Sequence, residues 1–239
     1  MKSIEVILSP ALFKYRTTID EYIVVVVDVL RATTAFCAAF DSGIETVIPV
    51  SGLDELLEYK NKGYFTAAER DGNKVDFADF GNSPVVFLQN NLTGKKLAYS
   101  TTNGTQAIEM AKAGGNIALA SFANLRAISA WLCREQKNII ILCSGWKNTF
   151  SLEDTFCAGA LADLLEQTGL FLHSCDASEM AINLWKSSEN QLEKVVSKAN
   201  HYNRLVKLGQ NKDLHHCFIL NTSIVVPVWD GTGFRNMNA

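Results

Sequence analysis

Short hydrophobic, β-prone runs recur along the first two thirds of the chain, and three of them end abruptly in small polar and charged residues that open a helix. Val24–Val27 is followed by Asp28-Val29-Leu30-Arg31-Ala32-Thr33-Thr34, and Lys96–Tyr99 by Ser100-Thr101-Thr102-Asn103-Gly104-Thr105. Ile139–Cys143 is followed by Ser144-Gly145 and then Ser151-Leu152-Glu153-Asp154-Thr155. The runs predict strands at Ile4–Leu8, Tyr22–Asp28, Glu45–Val50, Tyr64–Ala68, Leu97–Ser100, Asn116–Ala120 and Asn138–Cys143. Apolar residues at helical spacing predict helices over Leu53–Lys60 behind Ser51, over Asn124–Gln136, and over Thr155–Thr168 up to Gly169.

Strands alternating with helices imply an α/β fold, a three-layer α/β/α sandwich with a mainly parallel, mixed sheet. Residues 34–50 and 105–120 each carry a small-residue helix after paired threonines, which raises the prospect of two similar βα halves. After residue 175 the composition shifts. Asp176-x-x-Glu179 and Ser188-x-x-Gln191 match capping boxes, and the second predicts one helix through Leu192, Val196, Tyr202 and Leu205 to Gly209. We read a single domain over 1–239, with a core over 1–175 and a helical cover over 176–239 that returns one strand, Ile224–Val228, to the sheet.

With 48% hydrophobic and 20% charged residues, the chain has the composition of a water-soluble globular enzyme. A net charge of −3 argues against a broad nucleic-acid surface, and no apolar run is long enough to span a membrane. Six cysteines without regular spacing predict free thiols in a reducing compartment, hence a cytoplasmic protein. Self-association is left open.

In an open α/β sheet the strand C-terminal ends share one edge, where helix N-termini favour anions. Asp28, after four valines, is either a cap or a functional carboxylate that needs a partner or a metal. Arg31 offers a fork for phosphate or a pair for Asp28. Thr101 through Thr105 forms either an anion-binding nest or a plain turn and cap. Ser151-x-x-Asp154 is itself a capping box, which leaves Glu153 as the surplus acid. Glu69 and Asp79 lie in or beside a long loop, with Asn82-Ser83-Pro84 ahead of a strand-like Val85–Leu88. Mg²⁺ prefers one or two carboxylates with phosphate oxygens and water, so this acidic set suits it. Several phosphatase chemistries are excluded. Position 30 is Leu, where a haloacid-dehalogenase-type site needs Asp, and position 223 is Ser, where Cys217 would need Arg. No phosphate-binding Gly-x4-Gly-Lys loop and no Arg-His-Gly occurs. No histidine falls in a strand-end loop, so no histidine nucleophile is expected, and His215-His216 is read as exposed loop.

Taken together, Asp28-Val-Leu-Arg31-Ala-Thr33-Thr34, Glu69-Arg70 with Asp79-Phe80-Gly81-Asn82-Ser83-Pro84, Thr101-Thr102-Asn103-Gly104-Thr105, and Glu153-Asp154 with Ala158-Gly159 resemble the 2-phosphosulfolactate phosphatase family over about residues 3–170. The resemblance implies a Mg²⁺-dependent phosphomonoester hydrolase acting on a small anionic substrate, 2-phospho-3-sulfolactate, in coenzyme M biosynthesis where that pathway exists. Carried over, it implies catalytic roles for Asp28, Arg31, Glu153 and Asp154, and metal ligands among Asp28, Glu69, Asp79 and Asp154. Substrate contacts are expected from Thr33, Thr34, Arg70, Asn82, Ser83, Thr101, Thr102, Asn103, Gly104 and Thr105, with Arg70 on the sulfonate. The family usually has Glu-Arg-Gly-Gly where this chain has Glu69-Arg70-Asp71-Gly72, which points to an altered substrate preference. Two other readings remain: a phosphatase of another phospho-acid, and a non-enzymatic binder of phosphorylated or sulfonated metabolites.

Overall fold

The computed structural model describes residues 1–16 and 19–238. In chain order its elements are β1 (Lys2–Ile7), α1 (Pro10–Phe13), β2 (Tyr22–Val27), α2 (Ala32–Asp41), β3 (Thr46–Pro49), α3 (Leu53–Asn61), β4 (Phe65–Arg70), β5 (Asn73–Lys74), α4 (Pro84–Leu88), β6 (Lys96–Ser100) and α5 (Asn103–Ala111). They continue with β7 (Ile117–Ala120), α6 (Leu125–Glu135), β8 (Asn138–Cys143), α7 (Leu152–Glu166), β9 (Phe171–His173), α8 (Asp176–Ser188), α9 (Leu192–Val196), α10 (Asn200–Lys207), α11 (Asn211–Cys217), β10 (Pro227–Trp229) and β11 (Phe234–Asn236). The result is the expected three-layer α/β/α arrangement around one mixed, mostly parallel sheet, in the order β5-β4-β6-β3-β11-β10-β7-β2-β8-β1-β9.

The valine run shows why two layers of helices are needed. Side chains alternate across a strand, so consecutive buried valines require apolar cover on both faces. Val25 and Val27 pack with Leu125, Ile128, Phe156, Leu161 and Ile182 on one face. Val24 and Val26 pack with Phe36, Ala107 and Ile108 on the other. Gly159 lets α7 press against α8, because a Cβ there would lie 2.0 Å from the Ala181 carbonyl oxygen.

The C-terminal segment returns two strands rather than one. The hairpin of β10 and β11 occupies the middle of the sheet, antiparallel to β7 on one side and β3 on the other. Three antiparallel steps therefore separate β3 from β7. The block β4-β6-β3 and the block β7-β2-β8-β1-β9 are each parallel internally but run in opposite senses. The strand ends do not share one edge of a single parallel sheet, as expected from the sequence. They converge from two blocks.

Other departures are local. Val85–Leu88 belongs to helix α4, not to a strand: Pro84 opens it and Ser83 accepts a hydrogen bond from the Val86 amide at 3.2 Å. The helix predicted from Leu192 to Gly209 breaks into α9 and α10, and Asn203 Nδ2 donates to the Ser197 and Ala199 carbonyls at 3.0 Å each across the break. His215 and His216 lie on helix α11. Gly52, not Ser51, is the N-cap of α3. The six cysteines are free thiols.

Candidate active site

The two blocks and the helical cover enclose an open cleft of about 490 Å³. Asp28, Glu69, Asp71, Asn82 and Thr101 through Asn103 line it from the sheet side, and Trp146, Lys147, His201 and Arg204 close it from the other.

Asp28 follows β2 and is 6% exposed. Its loop is tied down locally: the Asp28 amide donates to Thr33 Oγ1 at 3.0 Å, and the Thr33 hydroxyl donates back to the Asp28 carbonyl at 2.9 Å. Oδ1 accepts the Ala32 amide at 3.3 Å. Burial pushes the carboxyl up to about 6, with the Glu153 and Glu69 charges adding to it and His201 opposing. The first turn of α5 meets Asp28 directly, since a Cβ on Gly104 would lie 2.9 Å from Asp28 Oδ2 and 2.6 Å from Ala32 Cβ. Only glycine fits that approach. The Thr102 side chain does not cap α5, while Thr101 and Thr105 exchange amide-to-hydroxyl bonds at 3.0 and 3.4 Å. The amide end of α5 thus borders the cleft, which suits a phosphoryl group.

The α7 terminus differs. Ser151 Oγ accepts the Asp154 amide at 3.3 Å, so this end is self-capped. Asp154 spends its oxygens on the backbone: Oδ1 accepts the Val29 amide at 2.9 Å and Oδ2 the Gly145 amide at 3.0 Å. Burial pushes its carboxyl well above the usual range, reinforced by Glu153 and Asp28. Asp154 braces two strand-end loops. Glu153, 1% exposed, accepts from His201 Nδ1 at 2.9 Å through Oε1, and Oε2 has no partner among the described residues.

Several expected contacts go elsewhere. Arg31 is buried in an ion pair with Asp213 of α11 at 2.7 Å, and Ser83 donates to the other Asp213 oxygen at 2.5 Å. Neither residue lines the cleft among the described residues. The Thr34 hydroxyl donates to the Val29 carbonyl at 3.0 Å and, like Thr33, serves its own loop. Arg70 donates to Ser100 Oγ at 2.9 Å and lines a separate hollow beyond Thr101, Thr102 and Thr105. Asp79 is held by Lys60 at 2.6 Å and by the Thr66 amide and hydroxyl at 2.9 Å each, away from the cleft. Burial opposes ionisation of Asp79, but those bonds hold its carboxyl below the usual range. Glu69 stays at the cleft, with Oε1 accepting the Gly72 amide. Asn82 also lines it and accepts from the Tyr99 hydroxyl.

The sequence reading missed Trp146, Lys147, His201, Arg204 and Asp213. Gly145-Trp146-Lys147-Asn148 carried a signal, a glycine-led polar stretch after a strand like the other two junctions. Gly145, Lys147 and Asn148 take φ of 65°, 54° and 60°, which folds the loop back so that Trp146 stacks on His201 at 5.4 Å. His201, Arg204 and Asp213 come from amphipathic helices whose pattern announces only burial. The His216-Cys217 pair is chemically quiet, since burial pushes the Cys217 thiol up to about 12.

Residues 7–232 match the sequence model of a family described as 2-phosphosulpholactate phosphatase. A probable 2-phosphosulfolactate phosphatase of Prochlorococcus marinus is 39% identical over 211 residues, covering 85% of this chain and 87% of that one. Proteins of the same description from Synechocystis (38% over 199 residues, 81% and 83% covered) and Thermotoga petrophila (37% over 193 residues, 81% and 82% covered) are similarly related.

Proposed function

The chain belongs to the 2-phosphosulfolactate phosphatase family, and from that premise we propose that it hydrolyses 2-phospho-3-sulfolactate to 3-sulfolactate and phosphate, with Mg²⁺, in the cytoplasm. The observation that carries the reading is the amide end of α5, where Thr102 makes no cap bond and Thr101 takes the Thr105 amide, set against Asp28 in one cleft. A phosphoryl group placed there accepts from the α5 amides and the threonine hydroxyls. Lys147 and Arg204 on the opposite wall take the carboxylate and the sulfonate, the latter in place of Arg70. Water attacks phosphorus directly.

The donor set suits Mg²⁺. No group of three or more His, Cys, Asp or Glu side chains among the described residues forms a ready-made cage, but Mg²⁺ needs only one or two carboxylates beside phosphate and water. Asp28 and Glu69 both line the cleft, and Asp28 Oδ2 and Glu69 Oε2 are unspent among the described hydrogen bonds. The ion supplies the positive charge that a dianionic phosphate needs beside these acids. Asp79 and Asp154, with their oxygens committed elsewhere, are not assigned as ligands.

Asp71 supports a second reading, a different phospho-acid. It lines the cleft 3.8 Å from Arg204 and partly offsets that charge. Phosphate release from a panel of phosphorylated carboxylates and sulfonates separates the two. We expect 2-phospho-3-sulfolactate to give the highest kcat/KM, chelation to abolish turnover and Mg²⁺ to restore it. Undiminished turnover in metal-free protein would overturn the metal assignment, and a better phosphocarboxylate would overturn the substrate.

A further inference from the structure

We propose that His201, held through Nδ1 by the buried carboxylate of Glu153, is the general acid that protonates the oxygen leaving phosphorus. The inference rests on the phosphatase reading above. It starts from a buried group with too few partners. Glu153 is 1% exposed, and its carboxylate bonds only the His201 ring, at 2.9 Å, with Oε2 unpartnered among the described residues. A carboxylate so deep needs a hydrogen-bonding partner, and the Nδ1 of His201 supplies one. Trp146 lies parallel to the ring, 8° between planes, and fixes its tilt. With Nδ1 committed, Nε2 is the nitrogen left for the cleft that His201 shares with Asp28.

The chemistry calls for such a donor. The C2 oxygen of an alkyl phosphate leaves as a strongly basic alkoxide unless it is protonated, and a positioned acid contributes roughly 10²- to 10⁴-fold. The other groups of the cleft have work already in the reading above: Asp28 and Glu69 hold the metal, and Lys147 and Arg204 take the carboxylate and sulfonate, which leaves His201 to give the proton. In the step, the water oxygen forms the new P–O bond as the bond from phosphorus to the C2 oxygen breaks. The Nε2 proton passes to that oxygen to give the alcohol. The product then is dihydrogen phosphate, which gives one proton back to Nε2 and departs as hydrogen phosphate. A second hollow of about 640 Å³, lined among others by Trp146, Glu153, Lys198 and His201, also borders the pair.

The test compares two substrates in the full chain with Mg²⁺: 2-phospho-3-sulfolactate, and acetyl phosphate, whose acetate leaves without a proton. We expect His201→Gln to lose at least about 100-fold in kcat on the first and under about 5-fold on the second. Equal losses on both, with an unchanged Tm, would overturn the proposal. If wild type releases phosphate from neither substrate, the phosphatase reading itself fails. Glu153→Gln decides the case even if His201→Gln does not fold or acetyl phosphate is not turned over. Removing the charge beside the ring disfavours its protonated form, so the basic limb of the kcat profile on 2-phospho-3-sulfolactate moves to lower pH. A limb that stays in place would overturn the assignment.

Discussion

The sheet-end loops and the helical cover reach the same cleft by opposite means. The loops are self-contained: Asp28 is fixed by Thr33, five positions away, and Thr101 by Thr105, four positions away. The cover is attached at a distance. His201 meets Glu153 across 48 positions, Gln210 donates to the Gly72 carbonyl across 138 at 2.6 Å, and Arg31 donates to Asp213 across 182. Leu208 of the cover lies directly over Gly72, where a Cβ would come within 2.3 Å of its Cδ1 and displace that side chain. The loops therefore supply preformed groups for charge together with Trp146 and Lys147 of the opposite wall, whereas the cover supplies His201 and Arg204. Its hold combines these polar contacts with apolar packing, since Leu192, Val196, Leu205, Leu214 and Phe218 belong to the main core.

The sharpest test of the loop side is Asp28→Asn. We expect kcat/KM to fall roughly 10³-fold, the scale of losing a preorganised charge at the reacting centre. The same change should stabilise the chelated protein. Asp28 titrates near 6 when folded, against 3.8 as a free side chain, so the folded state keeps a proton that the unfolded state has released. Stability accordingly falls as pH rises from about 4 to about 6, and the full cost, about 3 kcal/mol at most, persists above that. Asparagine escapes it. Urea melts at pH 4 and 8 in chelator should show the variant gaining over wild type mainly at the higher pH, and Mg²⁺ should erase the gain.

On the cover side, Asp213→Ala leaves the buried Arg31 charge unpaired and should cost about 3–5 kcal/mol in urea unfolding. A loss below 1 kcal/mol would mean that this pair does not hold the cover. Gly104→Ala probes the loops more gently. The added methyl must push α5 from Asp28, so we expect roughly 10-fold lower kcat, with about 1–3 kcal/mol of overpacking cost. The smallest effect should come from Asp79→Asn. Its half-exposed pair with Lys60 is worth at most about 1 kcal/mol, and kcat and the Mg²⁺ response should stay within about twofold. A large shift in the Mg²⁺ requirement would return Asp79 to the metal site.

The alternation and the strand-end loops of the first two thirds are legible in the chain because they are local. Buried valines, a cap such as Ser151 and a glycine such as Gly169 act within a few residues, so their pattern carries their structure. Asp28 and Thr101 through Gly104 were legible for the same reason: each ends a strand and begins a helix. Asp154 was balanced between cap and catalyst, and only the folded chain shows both of its oxygens taken by the Val29 and Gly145 amides. Tertiary structure also decided the fate of Arg31, the retreat of Asp79, the central position of the β10–β11 hairpin and the arrival of His201. These depend on which surfaces meet when distant segments dock. Periodicity says that a helix face is buried, but not against what. A histidine on such a face becomes part of a cleft only when the fold places a buried carboxylate beside it.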